Sequence, residues 1–351
     1  MRGRAKRVLV ITVASVLALL LVVSDRPPAP RIGPGPDAPT AVVALGDSTM
    51  AGEGAGDYEP GTRGENGDWC HRSTRALVHR LGVPGVDTTI NLACSGANSA
   101  QVGLGDAVQY TEPSQAARLG ALAREHRVLA VVVAVGANDE PRFADILNRC
   151  VQAWLGRGAE CGDAMAQEWP LRINAMIPRI ERALRDIQSV MRDAGYLDSS
   201  YSLVVQSYAA PLAPGFPASL QNFSGCPFRG SDLRWVQETG ITQLAEGIRT
   251  AARRTGARYL DLSRAGTGHE ACTGGEADSG EWFTRLTVDW ASLNDQARAG
   301  HAMQESFHPN DRGHAQFGRC LGRFLVLPAR EAACVPGASG NLDLRITSPT
   351  G

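Results

Sequence analysis

Lysine is almost missing from this chain: of 35 basic residues only Lys6 is a lysine, and the rest are arginine. Net charge is missing too. The 35 basic residues face 36 acidic ones for a net of −1, which removes the basic footprint that binding a phosphate backbone needs and makes nucleic acid a poor partner. No two of the eight cysteines are spaced as CxxC, so neither a zinc site nor a thioredoxin-like redox motif is indicated. Internal repeats and low-complexity tracts are absent from the body of the chain, and only one Pro-rich linker occurs, which favours one large domain over two. What remains is 351 residues, 43% hydrophobic, with 39 glycines and 20 prolines, enough to bury a sizeable globular core.

The N-terminus speaks to compartment. Arg2, Arg4, Lys6 and Arg7 precede an uncharged apolar run of 16 residues, 8–23, and then the polar, Pro-rich stretch DRPPAPRIGPGPDAP. This is the layout of an export signal. The run is shorter than the roughly 20 residues of a bilayer span, and Val22-Val23-Ser24 is only a passable cleavage flank. Residues 1–24 are therefore read as a signal peptide or a signal anchor, with residues 8–23 as the membrane tether in the second case, and 25–39 as a stiff spacer. No cysteine follows the run to carry a lipid. Beyond the first seven residues 31 basic groups face 36 acidic ones, so the exported part is mildly acidic. In that compartment the even set Cys70, Cys94, Cys150, Cys161, Cys226, Cys272, Cys320 and Cys334 reads as disulfides, for which 105 pairings exist.

Past the spacer, short β-branched runs alternate with amphipathic stretches, the pattern of a parallel sheet between two helical layers. Strands are predicted at 41–45, 88–92, 128–135, 203–206 and 258–262. Helices are predicted at 178–194, ended by Gly195, and after a Ser231 cap, ended by Gly256. This gives one α/β domain over 40–330 and a C-terminal tail over 331–351. Residues 140–170 and 209–230 are insertions after strands, where α/β sheets bind ligands, and their Trp154, Leu155, Trp169, Leu212, Phe216 and Phe223 suggest walls of an acyl pocket.

Four segments carry chemistry. Gly46-Asp47-Ser48 presents a serine on a glycine-flanked turn between a strand and a helix, able to serve as nucleophile and as backbone N–H donor. Glu305-Ser306-Phe307-His308-Pro309 places a carboxylate three residues before a histidine at an element boundary, the arrangement of a general base with its orienting partner. Gly96, in Cys94-Ser95-Gly96-Ala97, offers an unobstructed N–H, and Asn138, in Gly136-Ala137-Asn138-Asp139, a carboxamide donor; an acyl-transfer site needs both kinds where its oxyanion forms. Asp57, Glu65 and Asp68 are too irregularly spaced for a cation site and read as a solvated loop. His71, His79, His126, His269, His301 and His314 lack metal-ligand spacing and read as local caps or partners, so neither metal nor cofactor is expected. Asp47 and Asp139 read as supports of their turns. Asn222-Phe223-Ser224 is a glycosylation sequon discounted by the bacterial look of an Arg-rich, nearly Lys-free chain.

Ser48, Gly96, Asn138 and His308, in that order, resemble the four blocks of the SGNH hydrolases, also called GDSL esterases and lipases, with Thr49 where the GDSL name implies Leu. The resemblance spans about residues 40–326. It is nearest to secreted actinobacterial members through Gly52-Glu53-Gly54, Cys70-His71-Arg72-Ser73, Cys94-Ser95-Gly96-Ala97, Gly268-His269-Glu270-Ala271-Cys272 and His308-Pro309-Asn310. It implies a disulfide-braced three-layer α/β/α fold of flavodoxin type around a parallel sheet. It also implies Ser48 as nucleophile, His308 as base, and Ser48, Gly96 and Asn138 as the oxyanion hole. Many members carry Asp three residues before the histidine; here Glu305 takes that place, and some relatives use a backbone carbonyl instead. The relatives' bridges imply Cys70–Cys94, Cys150–Cys161, Cys226–Cys272 and Cys320–Cys334. The expected protein is a monomeric serine esterase or lipase, secreted or held at the outer face of the cytoplasmic membrane, acting on lipid, short-chain or acetylated-carbohydrate esters. An acyltransferase with the same residues, and a non-catalytic envelope protein on this scaffold, are the alternatives.

Overall fold

The computed structural model describes residues 33–139, 142–274, 280–293 and 298–348. The apolar run 8–23 lies outside them, and no helix of the described residues is long and apolar enough to cross a membrane. A seven-stranded sheet forms the centre, with strands β1 (Thr40–Gly46), β2 (Thr88–Asn91), β3 (Arg127–Ala134), β4 (Ser202–Gln206), β5 (Arg258–Asp261), β6 (Glu331–Pro336) and β7 (Leu342–Ser348) in the order β2-β1-β3-β4-β5-β6-β7. All neighbours are parallel except β6 and β7. β1 is buried along its whole length, as a strand between two others under helices on both faces must be. Because β2, β1 and β3 are adjacent and parallel, the loops leaving their carboxyl ends meet at one edge, the place where such sheets form crevices.

Short helices follow these strands: α1 (Ser48–Ala51) after β1, and α2 (Ser99–Val102) and α3 (Gln115–Leu122) after β2. After β3 come α4 (Phe143–Leu155) and the 33-residue α5 (Cys161–Asp193). α6 (Gly230–Trp235) runs through a π-helical turn, Val236–Gly240, into α7 (Ile241–Thr255). α8 (Asp311–Leu325) packs against the 3-10 turn Leu77–Arg80 and against β6 and β7, while α5 packs on α7, α3 and α2.

Several expectations change. The helix predicted from residue 178 begins at Cys161 and runs through Pro170 and Pro178, each of which forgoes one main-chain hydrogen bond. A buried stripe of Met165, Trp169, Ile173, Met176, Ile180, Leu184, Ile187 and Met191 crosses both prolines, and this continuous packing outweighs the local penalty. Ser231 does not cap its helix: α6 starts one residue earlier, and the Ser231 hydroxyl donates to Glu160 at 2.7 Å. The predicted tail is no tail, since β6 and β7 complete the sheet. The domain also begins before residue 40: Gly33 N–H donates to Gly195 O at 2.8 Å and Arg127 to Pro36 O at 3.0 Å, so the end of the spacer lies on the domain surface.

Candidate active site

Ser48 owes its position to its neighbours. Gly46, at φ 140, brings its Cα against the Ala134 carbonyl, where any side chain would collide, and Gln115 clamps the same peptide, accepting from Gly46 N–H at 2.7 Å and donating to Gly46 O at 2.8 Å. Asp47 then caps α1, accepting from Thr49 N–H at 3.1 Å. Its other oxygen accepts the Tyr208 hydroxyl, which in turn accepts Ala137 N–H at 3.4 Å. Burial raises Asp47 to about 7 and pushes the Tyr208 phenol well above its ordinary value, so this hydroxyl remains a donor. One buried pair thereby ties the serine turn to the Asn138 turn.

His308 arrives on a loop pinned at its base. Thr284 N–H donates to His308 O at 2.9 Å, Asn310 N–H to Trp282 O at 2.8 Å, and the Asn310 side chain caps α8. The imidazole Nε2 lies 2.7 Å from Ser48 Oγ. Its Nδ1 lies 3.2 Å from the Ser306 carbonyl, which fixes the tautomer: Nδ1–H donates to Ser306 and Nε2 accepts from Ser48. Between them Phe307 sits at φ 61, a left-handed conformation uncommon outside glycine, which turns the chain back on itself; its ring rests on Phe228 at 5.3 Å. Burial lowers the His308 pKa below the usual imidazole value, so the ring is a neutral base at neutral pH.

Glu305 does not take the expected role. Its carboxylate accepts the Tyr58 hydroxyl at 2.8 Å, and the orienting contact of His308 is the Ser306 carbonyl. The reversal at Phe307 brings a main-chain oxygen to Nδ1 first, and Tyr58 holds the carboxylate elsewhere.

Gly96 and Asn138 stand at the ends of the strands flanking β1. Cys94 N–H donates to Gly46 O at 3.1 Å, Asp47 N–H to Ala134 O at 3.1 Å, and Asn138 Nδ2 to Ala97 O at 3.2 Å, so the three turns are stitched together. At Gly96 a side chain would meet only Gln109, at 3.8 Å; glycine is required there by φ 83, not by space. Asp139 supports the neighbouring turn, accepting Ser99 N–H at 3.0 Å and the Ser99 hydroxyl.

Four bridges join Cys70–Cys94, Cys150–Cys161, Cys226–Cys272 and Cys320–Cys334. The first braces the Gly96 turn, with Ser95 N–H donating to Cys70 O at 3.1 Å, and the second staples α4 to α5. The two insertions meet where Trp154 stands edge-on to Phe223 at 5.6 Å and Arg229 donates to Ala153 O at 2.8 Å. Trp169 and Leu212 are not pocket walls: both are buried in the core, Trp169 donating to Gly240 O at 3.0 Å, while Phe216 packs against that core. Asp68 is likewise no solvated acid, because it is buried and accepts Cys70 N–H at 2.8 Å.

Residues 44–316 match the GDSL-like lipase/acylhydrolase family. The chain belongs to this family. Lipase 2 of Streptomyces coelicolor is 27% identical over 317 residues, covering 88% of this chain and 93% of that one; Lipase 1 of the same organism is 27% identical, covering 80% and 84%. Among solved structures, the fold matches an extracellular lipase from Streptomyces rimosus (TM-score 0.53, 20% identity, 79% of this chain and 95% of that one). It also matches a phospholipase A1 from Streptomyces albidoflavus (TM-score 0.52, 22% identity, 79% and 95%). This GDSL hydrolase is a lipase or esterase, a carboxylic ester hydrolase. Three features of its site escaped the residue-level reading: the Ser306 carbonyl, Tyr208, and the buried Glu53. Glu53 left a trace as the centre of the Gly52-Glu53-Gly54 block, and a backbone carbonyl stood as the alternative to Glu305 without a residue attached to it.

Proposed function

We propose that this GDSL hydrolase acts outside the cytoplasm and cleaves carboxylic esters through a Ser48–His308 dyad. The observation that carries the reading is the 2.7 Å contact between Ser48 Oγ and His308 Nε2. Ser48 Oγ attacks the ester carbonyl carbon while its proton passes to Nε2. Negative charge gathers on the carbonyl oxygen, where Ser48 N–H, Gly96 N–H and the Asn138 carboxamide donate to it. Collapse of the tetrahedral adduct breaks the C–O bond of the ester, and His308 returns the proton to the departing alcohol. Water, deprotonated by the same nitrogen, then cleaves the acyl-Ser48 ester and releases the acid. Through both steps Nδ1–H stays on the Ser306 carbonyl. The export-type N-terminus and the four disulfides support an oxidising, extracytoplasmic setting. The names of the relatives, together with the apolar Trp154–Phe223 contact between the insertions, support acyl chains as substrates.

A panel of p-nitrophenyl esters of rising acyl length, run beside phospholipid and acetylated xylan, tests the reading. Wild type turns over at least one of them, and Ser48→Ala loses about 10³-fold or more in kcat. A folded wild-type protein that hydrolyses none of them overturns it.

A further inference from the structure

Glu53 is fully buried, one residue past the glycine that ends α1, and its carboxylate gathers groups from three separate segments. Oε2 accepts the Ser95 hydroxyl at 2.6 Å and the Gln304 amide at 2.8 Å; Oε1 accepts His71 Nδ1–H at 2.9 Å. Ser95 immediately precedes Gly96, and Gln304 lies four residues before His308. Gly54 lies close under the histidine: a side chain there would stand 3.2 Å from His308 Cβ and 2.8 Å from Pro309 O. We propose that Glu53 is a positioning residue for ester hydrolysis at Ser48, its buried carboxylate anchoring the Gly96 turn to the His308 loop and placing a negative charge beside that loop. The proposal rests on the esterase reading above and gives Glu53 the electrostatic task that Glu305, held by Tyr58, does not perform through a hydrogen bond.

Groups from several segments close round that carboxylate. His71 donates to it through Nδ1, and the ring is buried with it. The Tyr58 hydroxyl accepts Gly54 N–H at 3.1 Å, donates to Glu305, and only borders Glu53 Oε1 at 3.3 Å. On the far side His314 donates Nε2–H to Glu53 O at 3.3 Å, with Asp311 near it and His301 beyond Gln304. Of the charges acting on His308, Glu53 opposes the effect of burial most strongly, with Glu305 behind it. Burial alone would push the Glu53 carboxyl up, but His71, His308 and the Ser95 hydroxyl together hold it below the ordinary carboxylate range.

The test compares wild type, Glu53→Gln and Glu53→Asp by the pH dependence of kcat/KM on a short-chain p-nitrophenyl ester, and by NMR titration of the His308 imidazole. Glu53→Gln keeps the shape and removes the charge. It is expected to lower kcat on the order of 10- to 100-fold with KM within about twofold, and to move the acid limb and the NMR titration of His308 down by about one pH unit. Glu53→Asp keeps the His308 titration near wild type while losing part of kcat, a separation that mere loss of packing does not produce. A folded Glu53→Gln protein whose His308 titrates as in wild type overturns the proposal. Should Glu53→Gln not fold, Gln304→Leu decides: severing the loop from the carboxylate lowers kcat ~10-fold with KM unchanged, and an unchanged kcat overturns the anchoring role. The titration needs no turnover, so an inactive wild type would sink the esterase reading while coupling of Glu53 to His308 remained measurable.

Discussion

At His308 the orienting acceptor is a main-chain carbonyl, uncharged and held by the loop that carries the histidine. Its geometry depends on Phe307 remaining at φ 61 and on the clamps at Thr284 and Asn310, none of which involves the Glu305 side chain's acidity. Glu305→Gln, whose amide oxygen can still accept the Tyr58 hydroxyl, is therefore expected to keep kcat within about threefold of wild type on a chromogenic ester. Removal of a carboxylate that truly orients a catalytic histidine costs about 10⁴-fold. A loss beyond about 100-fold would return the carboxylate to the histidine. Ser48 and His308 were readable as candidates because a nucleophile and a base are side-chain identities, here flanked by glycine and proline. Ser306 was not, because a carbonyl is common to every residue and its use is decided by one dihedral angle. Glu53 was visible as a motif residue, but its partners Ser95 and Gln304 lie 42 and 251 positions away in sequence, a proximity that only the fold creates.

Among elements, the strands were the most legible. The β-branched runs of β1 and β3 are buried on both faces, and pattern and burial agree to within a residue at each end. The long helix α5 was half legible, since a proline at 178 is locally the mark of a helix start and only the stripe shared with the preceding 17 residues overrides it. β6 was illegible: Glu-Ala-Ala-Cys-Val-Pro has a single β-branched residue and ends in proline, so its strand state comes from pairing with β5 and β7. That edge is integral to the fold. Glu331 binds Arg249 at 2.7 Å and Arg253 at 2.6 Å on α7, and Cys334 bridges to Cys320 on α8, the helix capped two residues after His308. A chain ending at Arg330 is expected to show no cooperative thermal transition and no ester hydrolysis, whereas one ending at Ser348 keeps both. A chain cut at Arg330 that melts within a few degrees of the parent would make the last two strands dispensable.

For the whole molecule the charges nearly balance, so the response of stability to acid falls to a few buried groups rather than to net charge. His314, on α8, is fully buried against the Ser48 segment and the 3-10 turn that begins at Leu77; Leu77 N–H donates to its Nδ1 at 3.2 Å, and its Nε2–H donates to Glu53 O. The neutral ring uses both nitrogens, and a proton on Nδ1 would face another N–H. Desolvation with this geometry lowers His314 to about 4, against about 6.5 when unfolded. Between those values the unfolded chain binds more protons than the folded one. Stability from His314 is thus fully present above pH 6.5 and drains away as pH falls toward 4, on the order of 3 kcal/mol. Asp47, raised to about 7, works in the opposite sense: its contribution is complete at low pH and declines as pH rises through 7. The two are separated by difference. Urea denaturation with the disulfides intact, at pH 7 and pH 4, is expected to show wild type losing about 3 kcal/mol more than His314→Gln, which has nothing to titrate at that position while Asp47 is common to both. Equal losses in the two proteins would mean that the buried imidazole is protonated in the folded state as readily as in the unfolded one.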